Sequence, residues 1–106
     1  MTSFSLNDLE NIIGERASAD SGQSYTKSLL DAGLNKISKK LGEEAIELII
    51  AAHAENVEAL KGEVADLLYH LLVLLHDKKI KISDVMDVLE SRTLQSGLQE
   101  KASRPK

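Results

Sequence analysis

Residues 40–51 read KLGEEAIELIIA, and residues 63–75 read EVADLLYHLLVLL. In the first stretch, Glu43, Glu44 and Glu47 stand ahead of the apolar run Ile49, Ile50, Ala51; in the second, Glu63 and Asp66 head the most apolar part of the chain. Both stretches have helical spacing. From Leu34 to about Ala54, the positions Leu34, Ile37, Leu41, Ala45, Leu48 and Ala52 fall within about 80° of one another at about 100° per residue, which predicts one long helix with a core stripe. Asn56 is a suitable cap for a second long helix ending near Lys78, since its side-chain oxygen can accept a first-turn N–H. That helix is apolar nearly all round from Leu67 to Leu75, the pattern of a central, buried helix. The two form an antiparallel hairpin turning near Glu55.

The remaining segments fit around this hairpin. SLNDLENIIGERA (5–17) predicts a helix capped by Ser5, with Asp8 three residues on as in a capping box. Ser24 and Gly33 bracket a short helix in SYTKSLLDAG, and Ser83 is the predicted cap of a last helix ending near Thr93. Residues 94–106 form a polar tail containing Gly97 and Pro105. No strand pattern and no internal repeat stands out. The expected architecture is all-α, a bundle of four to five helices forming one domain over residues 1–106.

Composition narrows the function classes. A formal net charge of −4 argues against a nucleic-acid surface, which would be basic. The chain has no cysteine, which excludes disulfides and thiolate metal sites. The apolar run at 63–75 is too short to span a bilayer. No basic segment followed by an apolar one opens the chain, so a soluble cytoplasmic protein is expected.

The acids carry the chemistry. Glu47 and Glu63 are equidistant from Glu55, as are Glu44 and Asp66, so each pair lies at one level of the hairpin. Within each helix the two acids are three residues apart and share a face. With Glu44 at 0°, Ile37, Leu48 and Ala51 lie at about 20°, 40° and 340°. With Glu63 at 0°, Leu74, Leu67 and His70 lie at about the same three angles. The acids therefore sit on the edge of the core. Two unit charges 4 Å apart repel by about 4 kcal/mol even at an effective dielectric of ~20, so this square of carboxylates needs protons or cations to neutralise it. All-carboxylate oxygen ligands suit Mg²⁺, or Mn²⁺, and such ions bind phosphate oxygens and polarise water.

Other metal chemistry fits less well. A di-iron bundle uses Glu-x-x-His motifs, and none occurs here. His70 reads as a satisfied histidine at the core edge, and His53 and His76 as surface or boundary residues. Lys36 and Lys40, one turn apart, either neutralise Glu43 and Glu44 within the helix or reach substrate phosphates as point charges.

The Glu-Glu-x-x-Glu at 43–47 followed by Glu-x-x-Asp at 63–66 resembles the MazG-like all-α nucleotide pyrophosphohydrolases. Within them, SYTKSLLDAGLNKISKKLGEEAIE (24–47), EVADLLYHLLVLL (63–75) and SGLQEKASR (96–104) are similar to the phosphoribosyl-ATP pyrophosphohydrolases of histidine biosynthesis. The resemblance implies hydrolysis of phosphoribosyl-ATP to phosphoribosyl-AMP and pyrophosphate, with Glu44, Glu47, Glu63 and Asp66 holding Mg²⁺. It also implies Glu43 and Glu47 as catalytic carboxylates, Glu43 either holding metal or orienting water. A homodimer with the site near its interface is expected. Lys101 and Arg104, cations three apart in the tail, would read the phosphoribosyl end of the substrate. Two alternatives stand beside this: a house-cleaning nucleoside triphosphate pyrophosphohydrolase using the same acids, and a non-catalytic helical dimerisation module whose acids are solvated.

Overall fold

The computed structural model describes residues 2–20, 24–54, 56–94, 102 and 104, and among these every regular element is helical. The elements are α1 (Leu6–Ala17), α2 (Tyr25–Ala32), α3 (Leu34–His53), α4 (Val57–Asp77) and α5 (Ile82–Thr93). Local chemistry sets most boundaries. Ser5 Oγ accepts the Asp8 N–H at 3.1 Å while the Asp8 carboxylate accepts the Ser5 N–H at 2.9 Å, a reciprocal cap that satisfies two otherwise orphan donors. Asn56 Oδ1 accepts from Ala59 at 3.0 Å and opens α4. Ser24 opens α2 by accepting from Lys27 at 3.1 Å, and its hydroxyl donates to the Arg16 carbonyl at 3.2 Å, tying the start of α2 to the end of α1.

Gly33 is at once the last residue of α2's cap and the first of α3's, with φ 95° and ψ 178°. That backbone region is open essentially to glycine alone. The chain thus breaks one helix and starts the next within a single residue.

One predicted cap is corrected. Lys81, not Ser83, occupies the N-cap of α5, and it makes no side-chain cap bond. The Ile82 N–H is instead met by Glu10 Oε2 of α1 at 2.6 Å. A carboxylate from 72 residues away replaces the local cap.

The α3–α4 hairpin is the principal helix pair, and α4 also contacts α1 and α2, which makes it the central helix as expected. The core consists of Ile13, Leu29, Ile37, Leu72, Val73 and Ile82. Along α3 the burial is rotated from the predicted stripe. Ile37 and Glu44 are the buried positions, Leu41, Ala45 and Leu48 are half-buried, and Leu34 and Ala52 are exposed. The helix has more apolar positions than this single chain covers, and Ile46, Ile49 and Ile50 remain about 60% exposed. Among the described residues no helix is long and apolar enough to cross a membrane.

Candidate active site

The hairpin brings three of the predicted acids together. Glu44, Glu63 and Asp66 each offer a carboxylate oxygen, and these oxygens lie within 4.8 Å of one another. Glu44 is buried at 8% exposure, Glu63 is half-buried and Asp66 exposed. Burial pushes the Glu44 carboxyl above the ordinary carboxylate range, and the charge of Glu47 adds to the rise, partly opposed by His70. Burial raises Glu63 likewise, again with Glu47 as the largest neighbouring charge. Glu47 is therefore electrostatically part of the set although it lies outside the tight group of three. Glu43 is exposed and also outside that group.

Glu44 Oε2 and Glu63 Oε2 are buried without a hydrogen-bond partner. Buried polar atoms are nearly always paired, and two orphaned carboxylate oxygens facing a third carboxylate are the donor set that a hard divalent cation satisfies. The residues present fit such an ion.

This arrangement has a pH signature. Both shifts are upward from 4.5, so between that value and the raised folded-state values the native chain holds more protons than the unfolded chain. Stability must then fall as pH rises through that window, and the full repulsion is present above it. In EDTA, the protein with Glu44 and Glu63 both changed to Gln is expected to lose less stability than the unsubstituted protein as pH rises from 4.5 through the raised folded-state range, a difference that thermal melts would measure. Parallel pH dependence of the two proteins would contradict the electrostatic account.

The other predicted residues divide. Lys36 is exposed and Lys40 half-buried, and neither pairs with Glu43 or Glu44 among the described residues. Arg104 is exposed, while Lys101 lies outside the described residues. His70 is the satisfied histidine expected. It is buried at 6% exposure, and its Nδ1 donates to the Asp66 carbonyl at 2.8 Å. Because a carbonyl only accepts, Nδ1 carries the hydrogen, and in the neutral ring Nε2 accepts from the Tyr25 hydroxyl at 3.4 Å. His53 and His76 are exposed.

Sequence reasoning gave no role to an aromatic group beside the acids. Tyr25 and Tyr69 stack at 6.3 Å and 20°, His70 meets both edge-on, and the Thr26 and Tyr69 hydroxyls bond to each other. The available signal was that the chain's only two tyrosines lie at the start of α2 and next to His70.

Comparison with known proteins accords with this geometry. The family profile of phosphoribosyl-ATP pyrophosphohydrolase matches residues 6–93. The chain belongs to the phosphoribosyl-ATP pyrophosphohydrolase family. A phosphoribosyl-ATP pyrophosphatase of Agrobacterium fabrum is 54% identical over 99% of this chain and 98% of its own length. One of Azorhizobium caulinodans is 54% identical over 93% and 91%, and one of Rhizobium meliloti 53% over 98% and 97%. The phosphoribosyl-ATP pyrophosphohydrolase profile spans all five helices, including both halves of the acid hairpin.

Proposed function

We propose that this protein hydrolyses phosphoribosyl-ATP to phosphoribosyl-AMP and pyrophosphate, cutting between the α and β phosphates in the second step of histidine biosynthesis, and that it does so with Mg²⁺. The observation that carries the reading is near-full-length similarity to phosphoribosyl-ATP pyrophosphatases in a chain whose hairpin gathers Glu44, Glu63 and Asp66. These three, with Glu47 beside them, would hold the ion, Mn²⁺ being the natural substitute. When bound, the ion neutralises phosphate oxygens and makes a nearby water more acidic. Glu43 and Glu47, exposed like Asp66, are the catalytic carboxylates of this reading: Glu47 takes up the proton that the attacking water releases, and Glu43 holds metal or orients that water. Lys36 and Lys40, unpaired with those acids, supply positive charge to the phosphates. A cytoplasmic location goes with this activity.

The test is pyrophosphate release from phosphoribosyl-ATP and from common nucleoside triphosphates, with and without Mg²⁺. Preference for the common triphosphates would favour a house-cleaning enzyme, and no release from any substrate a dimerisation module.

The chain is one domain in this reading, completed by a second copy. Ile46, Ile49 and Ile50 share one side of α3 by their spacing and are about 60% exposed, a contiguous apolar cluster of the kind that marks a protein–protein contact. Sedimentation is expected to show a homodimer at micromolar concentration, and Ile50→Asp to shift it towards monomer. A stable unsubstituted monomer would reject the dimer.

The tail, residues 94–106, supplies Lys101 and Arg104 to the phosphoribosyl end, where the arginine fork matches phosphate. Truncation after Gln95 is expected to lower kcat/KM for phosphoribosyl-ATP by about tenfold or more, the worth of one lost charge-assisted bond, while the Mg²⁺ response of the melt stays intact. Unchanged kinetics would leave the tail without this role.

A further inference from the structure

Between α1, α2 and α4 lies a cleft of about 460 Å³ walled by Arg16, Ser24, Tyr25, Thr26 and Tyr69, within the roughly 300–1,000 Å³ of small-molecule sites. We propose that this cleft holds the purine ring of the nucleotide, stacked on Tyr25. The inference rests on the hydrolase reading and adds to it the place of the base.

Four observations converge. The chain contains one phenylalanine, two tyrosines and no tryptophan, and both tyrosines line this cleft. Tyr25 is 53% exposed, a large ring surface left open in a chain that has few. That ring is already oriented: Tyr69 stacks against it and its hydroxyl is anchored on His70. A pre-positioned ring loses little freedom when a ligand stacks on it.

The wall's polar groups are largely committed. Thr26 and Tyr69 satisfy each other, and the Ser24 hydroxyl is held by the Arg16 carbonyl. What remains for a ligand is the exposed face of Tyr25, on which a flat base can stack, and the Arg16 guanidinium at its edge, which can add a cation–π contact or meet a phosphate of the same nucleotide. The cleft is also tied to the acid helix. From Tyr25 the path to the acids runs through His70 to the Asp66 carbonyl, and Asp66 is one of the three gathered carboxylates. One imidazole thus links the Tyr25 hydroxyl to the helix that carries Glu63 and Asp66.

The test uses the full-length protein with ring-labelled tyrosine, in EDTA so that the acid site does not contribute. AMP and, separately, ribose 5-phosphate are titrated while the two tyrosine ring signals are followed by NMR, assigned with Tyr25→Phe. AMP is expected to shift both rings and ribose 5-phosphate to shift neither. Tyr25→Leu is expected to weaken AMP binding about tenfold, within the range of base–aromatic stacking, and to raise KM for phosphoribosyl-ATP more than it lowers kcat. Tyr25→Phe, which keeps the ring, should retain most of the affinity. Ring signals unmoved by AMP, or Tyr25→Leu binding AMP like the unsubstituted protein, would overturn the proposal. If Tyr25→Leu does not fold, the titration of the unsubstituted protein decides alone. Turnover with unmoved rings rejects only this subsite; shifted rings without turnover reject only the hydrolase reading.

Discussion

Glu63→Gln is expected to lower kcat by about 10³-fold while leaving the helices intact and raising the melting temperature of the metal-free protein. The two effects have one origin. Burial, with the charges of Glu47 and Asp66 adding to it, raises the Glu63 pKa, and its Oε2 has no hydrogen-bond partner. The amide keeps the shape and removes the charge. Repulsion falls, so the empty site becomes easier to fold, yet a cation loses one of its anionic ligands. A bound metal contributes several kcal/mol to transition-state stabilisation, and each ~1.4 kcal/mol is tenfold in rate, which gives the expected three decades. Asp66→Asn should behave in the same way in activity. Glu47→Gln should also lose most activity. Pyrophosphate release at saturating Mg²⁺, circular dichroism and melts in EDTA check all three variants. Near-normal rates in the Gln variants would remove these acids from the mechanism.

Leu72→Ala is expected to cost about 2–5 kcal/mol of stability, a large share of the ~5–15 kcal/mol typical of a domain. Leu72 is 3% exposed and its neighbour Val73 fully buried, on the one helix that touches α1, α2 and α3. Truncation there leaves a cavity that no single neighbouring helix can move to fill. Leu71, one position away, is only half-buried, and Leu71→Ala should cost less. Chemical denaturation with a constant slope would give both values. A loss at Leu72 no greater than at Leu71 would mean that the core centres elsewhere.

What the sequence made legible was whatever is written locally. The Ser5–Asp8 box, the Asn56 cap and the break at Gly33 all depend on residues a few positions apart. The acid hairpin was legible for a related reason. Once two helices turn near residue 55, distances along each helix fix which side chains share a level, so the Glu44–Asp66 and Glu47–Glu63 correspondence follows from counting. Side-chain placement does not follow from counting, which is why Glu47 was not separable from the three acids that gather most tightly. The cap of α5 was misread because its donor is met by Glu10, distant in sequence. The α3 stripe was misread because periodicity marks which positions are apolar but not which of several apolar faces the rest of the chain covers. The Tyr25–Tyr69–His70 group lies across α2 and α4, and no spacing rule joins those positions.

Gly33 has a consequence for how chains of this kind can change length. With φ at 95° and no spacer between α2 and α3, the ring of Tyr25 and the carboxylate of Glu44 are set in phase like two teeth on meshed gears. One residue inserted at this joint would replace the single-glycine break by a longer connection and free α2 to shift against α3, loosening the placement of the aromatic face relative to the acids. Insertions and deletions among family members should therefore collect between α1 and α2 or between α4 and α5, and the stretch from Tyr25 to Glu44 should be inherited at a constant count of residues.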